Sequence, residues 1–154
     1  MLSDLNVGLL PFDVFLQVAR LVVLPNIEIV PLRVVGAQVQ VLLLPRDADD
    51  PFWPNMLHTP GSIIRADDSA FNDATERIKG ELGGTKTSDP VFVANMLNQN
   101  NRGKESSQIF WAEVEEEPKV GNFYDSDNLP DNLIPSQRVF ITKAIENYRS
   151  AKSL

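Results

Sequence analysis

Apolar positions along the chain fall into short runs whose spacing predicts three helices and a set of strands. Residues 1–10 read as a lead-in. Pro11 sits where a first helical turn tolerates proline. Phe12, Phe15, Val18 and Val22 continue at helical steps, so a helix is expected over 11–20. Pro25 and Pro31 interrupt the next segment and favour short or edge strands. From Arg33 to Leu44 the run RVVGAQVQVLLL reads as one central strand, and Met56 to Thr59 as a short strand entering a Pro60–Gly61 turn. Phe71, Ala74, Ile78 and Leu82 then form one helical stripe. Asp68 or Ser69 is placed to cap that helix, and Gly83 or Gly84 to end it in the left-handed conformation. Pro90–Met96 and Gln108–Val114 read as an antiparallel hairpin around a polar loop. Residues 118–135 read as loop. Ser136 is placed to cap a last helix lined by Phe140, Ile141, Ala144, Ile145 and Tyr148, and the tail after it is expected to fray.

The 154 residues suit a single core, and their hydrophobic (43%) and charged (23%) shares are those of an ordinary globular chain. A net charge of −7 argues against nucleic acid or an anionic membrane as the main partner. It leaves room for a small phosphate-bearing ligand held by local cations. With no cysteine there is no disulfide, thiolate metal site or cysteine nucleophile. The start lacks a basic secretory region and no apolar run is long enough to span a membrane, so a cytoplasmic protein is the default expectation.

Carboxylates supply the candidate chemistry. The aspartates of PRDADDPFWP lack calcium-loop spacing and read as a solvated loop. His58 is the single histidine, without a paired nucleophile, and reads as structural. Glu113, Glu115, Glu116 and Glu117 read as a solvated strand end. Arg33, Arg46, Arg65 and Arg102 are each able to touch a phosphate, and each also reads as an ordinary surface cation.

Two stretches carry a resemblance to a family. One is Pro60-Gly61 followed by a helix ending at Gly83; the other is Gly121-Asn122-Phe123-Tyr124-Asp125 through Leu129-Pro130, Leu133-Ile134-Pro135 and the closing helix. Over roughly residues 33–148 the order of elements resembles the Nudix pyrophosphohydrolases. The resemblance implies an α+β fold, a Nudix-like α/β/α sandwich with a mixed sheet. It divides the chain into a helix or arm with an edge strand (1–32), the Nudix-like domain (33–148) and a flexible tail (149–154).

The family's signature is a glycine, five residues, a glutamate, seven residues, Arg-Glu, an aliphatic, any residue, Glu-Glu, any residue and glycine. Ending it on Gly83 puts Ser62, next to Gly61, in the starting place and Asp68 at the first glutamate. Glu76-Arg77 stands reversed for Arg-Glu, and Gly80-Glu81 stands for Glu-Glu. In the family, glutamates one turn apart hold a divalent ion on the substrate phosphates. A guanidinium cannot ligate a cation; it repels one by roughly 4 kcal/mol per unit charge at 4 Å in an effective dielectric near 20.

The resemblance therefore implies a degenerate box, expected to be inactive or weakly active. Arg77 is expected to pair with Glu81, and with Gly61, Ser62 and Arg65 to face a nucleotide-like or other phosphate-bearing ligand without a cofactor. The alternative is a Mg²⁺- or Mn²⁺-dependent hydrolase of nucleoside diphosphate derivatives. It would use Glu81 and Glu76 as catalytic groups, with Asp68 as a further metal ligand, and Asp67 or a glutamate of 113–117 as additions. A third reading is a structural domain, a homodimer through the apolar N-terminal segment.

Overall fold

The computed structural model describes residues 10–153, so the expected lead-in lies almost wholly outside the described residues. Helix α1 (Phe12–Leu21) leads into β1 (Val23–Val35), which forms a hairpin with β2 (Gln38–Pro45). Two short strands follow, β3 (Leu57–His58) and β4 (Gly61–Ile63), and then α2 (Phe71–Glu81). The hairpin of β5 (Val91–Gln99) and β6 (Lys104–Glu113), strand β7 (Asn122–Asp125) and α3 (Gln137–Lys152) complete the chain.

The strands form one mixed sheet in the order β3-β2-β1-β6-β5, with β4 on β1 and β7 on β2. The β1–β6 pair is parallel, in register from Val23↔Lys104 to Leu32↔Glu113; the other strand pairs are antiparallel. Alternation along β1 sends Ile27 and Ile29 to one face, where Ala74 and Ile78 of α2 cover them with Ala112. Val30 and Leu32 face the other side and pack with Ile109, Trp111, Phe140, Ile141 and Ala144 under α3. Helices on both faces of a mixed sheet make the expected α/β/α sandwich.

Several expectations need correction. The run from Arg33 to Leu44 is a hairpin rather than one strand: Val35 faces Gln38 across a turn in which Gly36 has φ +62°. β1 is central rather than an edge strand, although it contains Pro25 and Pro31, and it runs across the expected boundary at residue 32. The missing N–H groups explain the tolerance. The Ile29 N–H reaches Pro60 O, on the side away from β6. Pro25 and Pro31 share Ile29's parity, so they face that side too, outside the stretches paired with β4 and β2, and the ladder to β6 is uninterrupted.

Neither Asp68 nor Ser69 caps α2. Asp73 in its first turn accepts instead from the Ser69 N–H at 2.7 Å and the Ala70 N–H at 3.2 Å. Gly83 (φ +63°) and Gly84 (φ +73°) do take the left-handed conformation after the helix. Ser136 makes no side-chain cap, the expected loop contains β7, and α3 extends through Lys152.

Candidate functional site

α2 lies with Ala74 and Ile78 on the sheet, so Arg77 faces the loop that leads into the helix. There Nε donates to Ser62 Oγ at 3.0 Å and Nη2 to Ile63 O at 3.0 Å. Nη1 and Nη2 grip both oxygens of Asp68 at 2.5 and 2.8 Å. Asp68 also accepts the Arg65 N–H at 2.7 Å, and the guanidinium leaves only 6% of its side chain accessible. The Arg77 fork lowers the Asp68 pKa to about 2.

The expected Arg77–Glu81 pair is therefore replaced by Arg77–Asp68, which ties the helix to the loop before it. With most of its five donors held by protein, Arg77 has little left for a ligand. Ser62 is likewise engaged with Arg77, and Arg65 enters this cluster through its backbone.

The residues here do not fit a divalent ion. Asp68 is covered by a guanidinium, and Gly80 has no carboxylate to offer. Glu76 pairs with Lys79 at 2.7 Å on the solvent side. Five residues apart at 100° per residue, Glu76 and Glu81 lie about 140° apart around the helix and do not converge. Among the described residues, no three Asp, Glu, His or Cys side chains cluster as a metal site. Glu81 stands apart: loss of solvation around its carboxyl raises its pKa, opposed by the Arg46 charge and by the Gly61 amide.

Behind Gly61 lies a second polar cluster that sequence reasoning missed. Glu28 of β1 is 6% exposed, and a Cβ at Gly61 would stand 2.7 Å from its carboxyl. Glu28 accepts from Asn26 Nδ2 (2.8 Å), Thr59 Oγ1 (3.0 Å) and Gln137 Nε2 (3.3 Å). Burial pushes its pKa up to about 8 against those bonds, and Glu105 adds to the rise. Glu105 is itself buried and bound by Arg102 at 2.6 Å. Arg102 and Arg46 both lie over Trp53, at 5.0 and 5.8 Å from its ring centroid. The Nε atoms of both arginines, and Ser107 Oγ, are buried and have no partner among the described residues.

These side chains enclose a hollow of about 20 Å³ beside Ser136 and Gln137 at the start of α3. His58 packs nearby as a structural residue; its Nδ1–H meets Thr59 O at 2.8 Å, and burial lowers its pKa to about 4. The sequence did carry a signal for the cluster. Asn26 and Glu28 alternate within the apolar run of β1, and Glu105 and Ser107 alternate on its parallel neighbour, so all four share one buried face.

No known sequence family and no curated protein matches this chain. Solved structures do. The NUDIX domain of Shewanella oneidensis NrtR, complexed with ADP ribose, superposes with a TM-score of 0.63 at 15% identity, over 82% of this chain and 89% of that one. A mutT/nudix family protein from Listeria innocua gives 0.61 at 14%, over 84% and 96%. The C. elegans Ap4A hydrolase gives 0.61 at 11%, over 82% and 98%. The chain has the Nudix fold.

Proposed function

We propose that this chain is a Nudix-fold binding module rather than a metal-dependent hydrolase, and that it holds a nucleotide-like, phosphate-bearing ligand without a divalent ion. The observation that carries the reading is the Arg77–Asp68 fork, which stands where the resemblance puts metal-binding carboxylates. The ligand's place is the Arg46–Arg102–Trp53 corner. Two buried guanidinium Nε donors have no partner there among the described residues, both guanidinium groups lie over the Trp53 ring at 5.8 and 5.0 Å from its centroid, and a helix begins. The present hollow holds about one water, so a ligand enters by displacing Trp53 with its loop of residues 46–54. The ADP ribose bound by the NrtR NUDIX domain gives a first ligand to try.

The test is thermal stabilisation by ADP-ribose and nucleoside diphosphates in the presence of a chelator. A ligand at a hundred times its Kd adds about 2.7 kcal/mol of stability. The expected result is a shift in the wild type that is lost in Arg102→Ala, with no phosphate release in Mn²⁺. No shift at millimolar ligand removes the binding reading. Turnover in Mn²⁺ that vanishes in Glu81→Gln replaces it with the hydrolase, for which Glu81 is the free carboxylate.

A further inference from the structure

β5 forms one margin of the sheet, and no strand or loop among the described residues bonds to its outer edge. Such margins usually carry lysine, proline or charge that deters pairing. β5 reads VFVANMLNQ, without an ionisable group, in a chain of net charge −7. A register shift between Phe92 and Ala94 leaves the rest of the strand regularly paired. Leu97 (67% exposed) and Phe92 (54%) stand out from it.

The two ends of the strand differ in shape and charge. At the start, Phe92 packs edge-on against Phe110, and Asp89 flanks it. At the finish, a hollow of about 400 Å³ opens between Leu21–Val23, Gln99 and Lys104, with Arg20 on its wall. Knob and hollow share a face of the sheet. Phe92 is opposite Phe110, while Gln99 and Val23 are both opposite Lys104. Lys104 and Phe110 are an even number of positions apart on β6, so their side chains point the same way.

We propose that this margin is a homodimer interface: β5 pairs antiparallel with β5 of a second copy, and each Phe92 seats in the partner's hollow between Leu21–Val23 and Gln99–Lys104. A two-fold axis through the strand brings each start against the other finish. Asp89 of one copy then approaches Arg20 and Lys104 of the other, and aromatic meets aliphatic. The uncharged middle is the stretch where two acidic chains approach without repulsion. The interface is separate from the ligand corner, so it stands or falls independently of the binding reading.

Light scattering on the full chain at high micromolar concentration tests it. The expected result is a doubled mass. Leu97→Lys and Phe92→Lys each weaken association at least about tenfold, the first by burying an unpaired charge at the seam and the second by setting a cation against Arg20 and Lys104 in the hollow. Both positions are exposed, and an unchanged melting profile after dilution to monomer confirms that the variants fold. Val139→Lys, at an exposed position on α3, remains dimeric. A wild type that stays monomeric overturns the proposal. A dimer that persists in both β5 variants, or dissolves equally in Val139→Lys, overturns it as well.

Discussion

Arg77 shows how one residue can change sign without leaving a structural gap. Its guanidinium joins α2 to β4 at Ser62 and to the loop at Asp68, so the positive charge has become part of the frame. Removing it in Arg77→Ala leaves Asp68 without its main partner, and is expected to cost about 1–3 kcal/mol in chemical denaturation. Arg77→Lys recovers little of this, because an ammonium cannot reproduce the two-pronged contact. The loss has a pH signature. Asp68 has a folded pKa of about 2 against an ordinary 3.8. The pair's contribution is therefore complete above the ordinary value and fades as pH falls through the folded one. Stability measured between these limits should drop less steeply in Arg77→Ala than in the wild type.

At the scale of elements, α2 and the stop that follows it hold two glycines with opposite requirements. Gly80 lies in the last turn with nothing within 4 Å of the place a Cβ would take, whereas Gly83 holds φ +63° with Val120 at 3.3 Å from that place. Gly80→Ala is expected to stabilise by about 0.5–1 kcal/mol. Gly83→Ala is expected to destabilise by about 1 kcal/mol or more, and thermal melts of the two variants separate them. The stripe of Ala74, Ile78 and Leu82, and the glycine stop after it, were legible in the sequence because helix period and left-handed turns are local properties. The long central β1 was not. Whether Pro25 and Pro31 break a strand depends on which neighbour their nitrogens face, and that is decided by β4, β2 and β6 from elsewhere in the chain. The candidate site divides the same way. The reversed charge at Arg77 was visible, but its partner was set by how the 64–70 loop folds back. Glu28 meets the local pair of Glu105 and Arg102 only through the parallel register of strands far apart in sequence.

For the whole molecule, two buried groups shape the stability profile with opposite signs. Glu28 has a pKa raised from 4.5 to about 8, so its folded form keeps a proton that the unfolded chain releases. Stability from this source is complete below 4.5 and declines as pH rises through 8. His58 has a pKa lowered from 6.5 to about 4, so its contribution is complete above 6.5 and declines as pH falls through 4. Between 4.5 and 6.5 the two slopes cancel, which predicts a plateau, with a one-proton decline on the alkaline side from 6.5 to about 8 and a shorter one in acid between 4.5 and about 4. Urea titrations across pH check this. Glu28→Gln should remove the alkaline decline, while His58→Gln should convert the plateau into a slope that falls as pH rises.

The close approach of Gly61 to Glu28 makes positions 61 and 28 a single choice. The acid is held by Asn26, Thr59 and Gln137, so it has no cheap way to step aside for a methyl group on the turn. A relative of this chain that carries any larger residue at the turn must have given up the acid, and one that keeps the acid is confined to glycine. Paired substitution at these two places would mark, in any newly found sequence, whether the interior was built around this proton or around ordinary hydrocarbon.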